Sequence, residues 1–182
     1  PEQHYIPRME WSGPNEIVVQ QLDRKQQESK LIYCKTTDGS SYTFWAEGDK
    51  AWVDLNTSDP KGWNWVNNGA DFIWVSEQDG WRHVYKISRD GKTKELLTKG
   101  KYDIAEIIRI DEAGNNIYFT ASPKNPTQRY LYKVRINDAK EDPELVTDDK
   151  FKGMHNYEIS PNGKTAIHRF SNHNTMPVHE WV

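Results

Sequence analysis

Serine, aspartate and histidine fall close together between Ser76 and Ser88, with Asp79 and His83 between them. These are the parts of a nucleophilic triad: a hydroxyl to attack, an imidazole to take its proton, a carboxylate to orient the imidazole. A triad serine of the hydrolase type also needs a strained turn that exposes its oxygen, written in sequence as Gly-x-Ser-x-Gly. No serine among the 182 residues has that setting. Ser76, Asp79, His83 and Ser88 therefore read as polar residues of strand ends and loops, and no residue is assigned a catalytic role.

The six histidines raise a metal reading, because His168, His173 and His179 crowd one region with His155 upstream. No pair has the i, i+4 spacing of a zinc helix, and the single cysteine, Cys34, is remote from them. His168 reads as a strand residue and His173 as a turn residue, so no metal or cofactor is expected. Asp111-Glu112 and Asp148-Asp149 pair carboxylates as acid–base sites do, but beside glycine or lysine they read as solvated turns. Trp45, Trp52, Trp63, Trp65, Trp74 and Trp81 could stack sugars, yet such density in a β protein reads mainly as core. Asn56-Thr57-Ser58 fits a glycosylation sequon, which matters only in a secreted eukaryotic protein.

The elements that position these groups repeat. Arg82-His83-Val84-Tyr85-Lys86-Ile87 returns 47 positions later as Arg129-Tyr130-Leu131-Tyr132-Lys133-Val134. Glycine turns recur at Asn67-Asn68-Gly69, Ala113-Gly114-Asn115 and Pro161-Asn162-Gly163, each between two short apolar runs. Tight hairpin turns need positive φ, which favours glycine and asparagine. A weaker copy, Met9 to Asn15, precedes Ile17-Val18-Val19, and the longer gap after it places an insertion at Lys50 to Lys61. Second turns are expected at Asp38-Gly39, Asp90-Gly91 and Asn137-Asp138. The unit is a four-stranded meander of about 45 residues, the size of a propeller blade.

The fold class is thus all-β: a β-propeller segment of about three to four four-stranded antiparallel blades. Blade-like units are expected at about 5–49, 62–104 and 105–150, with an incomplete one at 151–182. Val84 and Lys86 should face one way and Tyr85 and Ile87 the other, as in half-buried strands. Gln20 to Lys30 lacks an apolar stripe and reads as a polar loop between strands, as do residues 124–128. Cys34, in the run Leu31-Ile32-Tyr33-Cys34, reads as a buried thiol. The net charge of −3 leaves no basic footprint for nucleic acid. No segment approaches the roughly 18 apolar residues of a membrane span. Both ends read as strand inside a repeat, so the chain is expected to be part of a longer one, with exposed terminal edges that favour self-association.

Several motifs narrow the family. Ile159-Ser160-Pro161-Asn162-Gly163-Lys164 is similar to the generic Ser-Pro-Asp-Gly turn of bacterial propellers and oligopeptidases. More specific is Phe72-Ile73-Trp74-Val75-Ser76-Glu77-Gln78-Asp79-Gly80-Trp81-Arg82-His83-Val84-Tyr85, a strand ending in Ser-Glu followed by Gly-aromatic-x-His-hydrophobic-Tyr. Together with Tyr5-Ile6-Pro7-Arg8-Met9-Glu10-Trp11 and Tyr102-Asp103-Ile104, it resembles the later blades of the propeller in the dipeptidyl peptidase IV family, of the prolyl oligopeptidase clan.

The resemblance implies a parent serine exopeptidase that removes amino-terminal X-Pro or X-Ala dipeptides. Its Ser, Asp and His would lie in a carboxy-terminal α/β-hydrolase domain absent from this chain. That domain and the remaining blades are the implied partners, with peptide as substrate, a homodimeric parent, and a periplasmic, membrane-associated or extracellular setting. In the family, paired glutamates on an earlier blade hold the substrate amine, and this chain has no Glu-Glu dipeptide. Trp52-Val53 matches a family pair that leads into the loop lining the outer substrate pocket. This makes Trp52, Val53, Asp54 and Leu55 the candidate substrate-binding residues, although Asp54-Leu55-Asn56 departs from the aromatic-plus-arginine pattern of mammalian members. Two other readings share the fold: a non-catalytic bacterial propeller that binds protein or glycan, and a sialidase-like or glycosidase propeller. The latter needs carboxylates and arginines clustered at blade tips.

Overall fold

The computed structural model describes residues 3–55 and 63–182. These form four antiparallel sheets, each a meander in chain order. The first holds β1 (His4–Gly13), β2 (Glu16–Asp23), β3 (Glu28–Lys35) and β4 (Ser41–Gly48). The second holds β5 (Trp63–Val66), β6 (Asp71–Ser76), β7 (His83–Ser88) and β8 (Lys94–Leu96). The third holds β9 (Ile104–Asp111), β10 (Asn116–Ala121), β11 (Tyr130–Arg135) and β12 (Glu144–Leu145). The fourth has three strands, β13 (Met154–Ile159), β14 (Ala166–Asn172) and β15 (Thr175–Trp181). The all-β propeller class expected from the repeats is the class observed.

The chain divides into two compact units, Pro1–Gly80 with Ile87–Lys94, and Trp81–Lys86 with Glu95–Val182. In the first unit an aromatic ladder forms the core. Tyr33 stacks on Phe44 at 4.1 Å between ring centres, and Phe44 meets Phe72 edge-on at 5.9 Å. Phe72 in turn takes Trp65 and Trp74 edge-on. Offset and edge-on contacts suit the ring quadrupoles, so the ladder adds to what burial alone supplies. Arg89 ties this unit together. Its guanidinium lies 4.8 Å from the centre of the Trp65 ring and bonds Glu16 Oε2 at 3.1 Å, with further bonds to the carbonyls of Ser12 and Gly69.

Gln20 to Lys30 is not a loop. β2 runs through Gln20 to Asp23 and β3 begins at Glu28, the two joined by a tight turn with Gln26 at φ +57°. Asp23 organises that turn: Oδ1 accepts the N–H groups of Gln27 at 2.7 Å and Glu28 at 2.8 Å. The apolar alternation fails because Gln20 and Ser29 occupy core positions between Val18, Leu22, Leu31 and Tyr33, and bond one another at 3.0 Å. A buried polar pair is tolerated there because each satisfies the other.

Two further expectations change. Val84, Tyr85 and Ile87 are all buried, as are Leu131, Tyr132 and Val134, so β7 and β11 bury both faces rather than one. Strands covered on both sides read as continuous apolar runs. The link after β11 is a loop from Ile136 to Pro143 rather than a tight turn at Asn137-Asp138. Cys34 is half-buried, with a free thiol.

The second unit reveals what the repeated hexapeptides do. Leu97 N–H donates to the carbonyl of Val84, and Val84 N–H donates to Thr98 Oγ1, each at 2.9 Å. Val146, Leu131 and Thr147 repeat both bonds at 2.9 Å. The threonine hydroxyl stands where a strand carbonyl would, so the ladder ends there without leaving a buried N–H unpaired. The carbonyls of Arg82 and Arg129 then accept from Ile104 and His155, which open the next sheets.

Candidate functional site

The segment carrying Trp52 to Leu55 is built on the turn between β2 and β3. Asp49 N–H donates to the carbonyl of Gln27 at 3.0 Å, and Val53 N–H to that of Gln26 at 2.8 Å. The Asp49 carboxylate turns the chain between those points, with Oδ1 accepting from Ala51 N–H at 2.6 Å and Trp52 N–H at 3.0 Å. These donors favour the charged form and hold the Asp49 carboxyl below its ordinary value.

The four candidate residues then diverge. Val53 is buried at 5% exposure and anchors the loop, whereas Trp52 leaves 57% of its surface open. Asp54 is exposed and Leu55 half-buried. Among the described residues, the arrangement presents the Trp52 indole from a pinned backbone. The sequon Asn56-Thr57-Ser58, and the rest of the insertion to Lys61, lie outside the described residues.

The other residues singled out for chemistry are already occupied. His83 is fully buried, with Nδ1 3.1 Å from Thr98 Oγ1 and Nε2 3.1 Å from the carbonyl of Gly100. Since a carbonyl only accepts, Nε2 carries the proton. The Thr98 hydroxyl, already accepting from Val84, is the partner of Nδ1. His83 is thus held as a structural group. Ser76 Oγ donates to Glu47 Oε2 at 2.7 Å, and Ser88 Oγ to Asp90 Oδ1 at 2.7 Å. Asp111 and Asp148 accept backbone N–H groups in their own turns, from Gly114 and Lys150.

The tryptophans do not form one platform. Trp63 and Trp74 are core, Trp45 and Trp65 are half-buried, and Trp52 and Trp81 are exposed. Sequence reasoning missed their partners, two carboxylates in the first unit. Glu10 Oε1 accepts from Trp65 Nε1 at 2.8 Å and also from Trp63 Nε1. Glu47 Oε2 accepts from Trp74 Nε1 at 3.0 Å as well as from Ser76. Burial pushes the Glu47 carboxyl above its ordinary value, against the pull of those two donors.

The histidine cluster resolves into a chain of contacts. His155 and His168 bond each other at 2.8 Å, His168 reaches Glu180 at 2.9 Å, and His173 and His179 point elsewhere as exposed residues. Among the described residues no group of three His, Cys, Asp or Glu side chains is arranged to hold a metal ion. Two open clefts lie in the second unit. One, of about 540 Å³, is lined by Gln128, Lys152, Gly153, Met154 and Asn172. The other, of about 220 Å³, is lined by Glu106, Ile108, Asn156, Glu158 and Arg169.

Comparison with known proteins agrees on one family. Residues 1–177 match the family described as the dipeptidyl peptidase IV (DPP IV) N-terminal region. The chain is 29% identical over 138 residues to dipeptidyl peptidase 4 of Trichophyton rubrum, covering 75% of this chain and 18% of that protein. It is 28% identical over 138 residues to dipeptidyl peptidase 4 of Arthroderma otae, with the same coverage of 75% and 18%. It spans about a fifth of the length of these curated relatives. The crystal structure of Porphyromonas gingivalis dipeptidyl peptidase 4 superposes with a TM-score of 0.80 at 23% identity, over 98% of this chain and 24% of that one.

Proposed function

The chain belongs to the family of dipeptidyl peptidase IV N-terminal regions, and from that premise we propose that it supplies later blades of the propeller in a serine exopeptidase. The parent enzyme would remove X-Pro and X-Ala dipeptides from peptide amino termini. The observation that carries this reading is the family match across nearly the whole chain. In this reading the nucleophile lies outside the chain, in which no serine stands in a Gly-x-Ser-x-Gly setting.

In this reading the propeller shapes and gates the substrate pocket, and the bond is broken elsewhere. The partners are an α/β-hydrolase domain and further blades, in a homodimeric parent with a periplasmic, membrane-associated or extracellular setting. The blade units run approximately 5–49, 62–104, 105–150 and 151–182. Trp52 contributes its open indole face to the outer pocket, Val53 anchors the loop, and Asp54 and Leu55 flank the substrate path. An aromatic face suits the apolar side chain and ring of such peptides, while the backbone bonds to Gln26 and Gln27 keep the loop from moving away.

The test is direct. The purified 182-residue chain should leave a Gly-Pro chromogenic substrate intact, and hydrolysis that a serine reagent abolishes would overturn the proposal. In the parent gene, sequence beyond Val182 should contain Gly-x-Ser-x-Gly followed by Asp and His. Further repeats with no such elbow would replace the peptidase with a binding scaffold.

A further inference from the structure

His155, His168 and Glu180 stand on three successive strands of the fourth sheet: β13, β14 and β15. His155 Nε2 lies 2.8 Å from the carbonyl of Phe151, His155 Nδ1 lies 2.8 Å from His168 Nε2, and His168 Nδ1 lies 2.9 Å from Glu180 Oε1. The two imidazoles are coplanar to within 2°. His155 is fully buried and His168 nearly so, while the Glu180 side chain keeps 54% of its surface open.

Counting protons along this line is decisive. The carbonyl of Phe151 only accepts, so His155 Nε2 carries a proton. A second proton must lie between the two facing ring nitrogens, and a third between His168 Nδ1 and the carboxylate. Two neutral imidazoles and an ionised carboxylate supply only two. The array is complete only with one proton more, held between His168 Nδ1 and the Glu180 carboxylate, while the other His168 nitrogen bonds His155. Without that proton, a nitrogen lone pair faces a carboxylate across 2.9 Å.

We infer that His155, His168 and Glu180 form a proton-sharing clasp, which holds β15 fully on its sheet only while the trio carries that additional proton. The clasp makes the attachment of the outer strand respond to pH. Among the described residues β15 is joined to β14 by its backbone ladder, and Met176 and Trp181 on it are 85% and 78% exposed.

The groups packed against the clasp support the assignment. From β13, the Tyr157 ring stacks on His168 at 4.4 Å, with its hydroxyl 3.0 Å from Thr147 Oγ1. From β11, Tyr130 stacks on His155 at 5.2 Å, and the Asp149 charge acts on Tyr130. Phe170 of β14 lies 4.8 Å from His155 between ring centres. The carboxylate that faces the imidazoles is that of Glu180, and the electron-rich Tyr157 face suits a cationic ring beneath it. Burial first, and the neighbouring His168 charge after it, hold His155 below the ordinary 6.5. The additional proton therefore stays at the Glu180 end, where the carboxylate compensates it.

The clasp fails in both directions. As pH rises and the shared proton leaves, the bond to Glu180 is lost. As pH falls, His155 gains a proton at Nδ1 and two N–H groups oppose each other. The second limb follows from the sign of the shift: a histidine with a depressed folded value contributes stability above its unfolded value, near 6.5, which is lost as pH falls through the folded one.

The experiment is nitrogen-15 imidazole NMR of the 182-residue chain, with amide exchange of β15 followed against pH as protection factors. In the pH range where the β15 amides are most protected, hydrogen should be present at both ring nitrogens of His168 while His155 keeps Nδ1 bare. Protection of the β15 amides should fall about tenfold as the shared proton leaves, the scale of one charge-assisted hydrogen bond. In Glu180→Gln, the amide can present either its oxygen or its nitrogen to His168, so β15 protection should lose its pH dependence on the alkaline side. A His168 with one bare nitrogen in the range where β15 is most protected would overturn the inference, as would Glu180→Gln following the wild-type curve.

Discussion

Gly91 lies so close to the backbone of Phe44 that a β-carbon on it would sit 1.7 Å from the Phe44 carbonyl oxygen. Gly39 adopts almost the same left-handed φ, +72° against +71° at Gly91, yet a β-carbon on it would meet nothing within 4 Å. The pair separates conformational strain from collision. Gly39→Ala should cost about 1 kcal/mol, the price of the left-handed backbone alone. Gly91→Ala should cost about 3–4 kcal/mol, since backbone cannot swing aside as a side chain can. Urea midpoints of the two variants check the difference, and equal midpoints would refute it.

Thr98→Val keeps the shape of the side chain and removes its hydroxyl. It leaves the Val84 N–H without its 2.9 Å acceptor and takes the hydroxyl from His83 Nδ1. Destabilisation of about 2 kcal/mol is expected, with most of it restored in Thr98→Ser. Thr147→Val should behave alike at Leu131. Thermal denaturation of the four proteins decides, and a neutral Thr98→Val would mean the hydroxyl is dispensable.

Glu47 should weigh on stability as pH rises. Its folded value is raised, so the unfolded chain ionises first, and the contribution present below the unfolded value, near 4.5, is lost as pH climbs through the folded one. Glu47→Gln keeps an acceptor for Trp74 and Ser76 and removes the charge. The variant should gain on the wild type across that window and match it in stronger acid. Denaturant titrations at a series of pH values make the comparison, and parallel curves would dismiss the effect.

Asp90 pulls the other way. Hydrogen bonds from Ser88 and Lys92 lower its carboxyl from 3.8 to about 2. A depressed carboxylate stabilises above its unfolded value, and that contribution is lost as pH falls from about 3.8 towards 2. Asp23, Asp38 and Asp49 are lowered in the same direction by donors in their own turns. Asp90→Asn should therefore lower stability above about pH 4 by a constant amount and flatten the acid limb of the profile, read by circular dichroism.

The candidate loop offers a separate test. Trp52→Ala removes a side chain that is 57% exposed, so the fold should keep its midpoint within about 0.5 kcal/mol. In the parent enzyme, the same change should raise KM several-fold and leave kcat nearly untouched, the mark of lost substrate binding. Unchanged KM would remove Trp52 from the pocket.

Much of this architecture is legible in the residues, for reasons that also explain what is not. The hexapeptides at Arg82 and Arg129 mark third strands because alternation and turn glycines are local signals. The threonine fasteners are local too. Glu95-Leu96-Leu97-Thr98 returns as Glu144-Leu145-Val146-Thr147, a repeat passed over because threonine looks ordinary in a strand. Gln20 and Ser29 were hidden for the opposite reason, since a polar pair buried at core positions imitates a loop. The carboxylates of Glu10 and Glu47 meet indoles 53 and 27 positions away, so no window of sequence contains both partners. For Trp52 and Val53 the family pair supplied the location, while which of the two is open and which anchors emerged only from the bonds to Gln26 and Gln27.

The threonine fasteners bear on how the molecule avoids its own kind. By ending the ladder with a hydroxyl, Thr98 and Thr147 leave β8 only 3 residues long and β12 only 2. A foreign strand needs a run of free amides and carbonyls to recruit it, and so short an edge offers too few. Each fastener thus spares its sheet from extension by another chain.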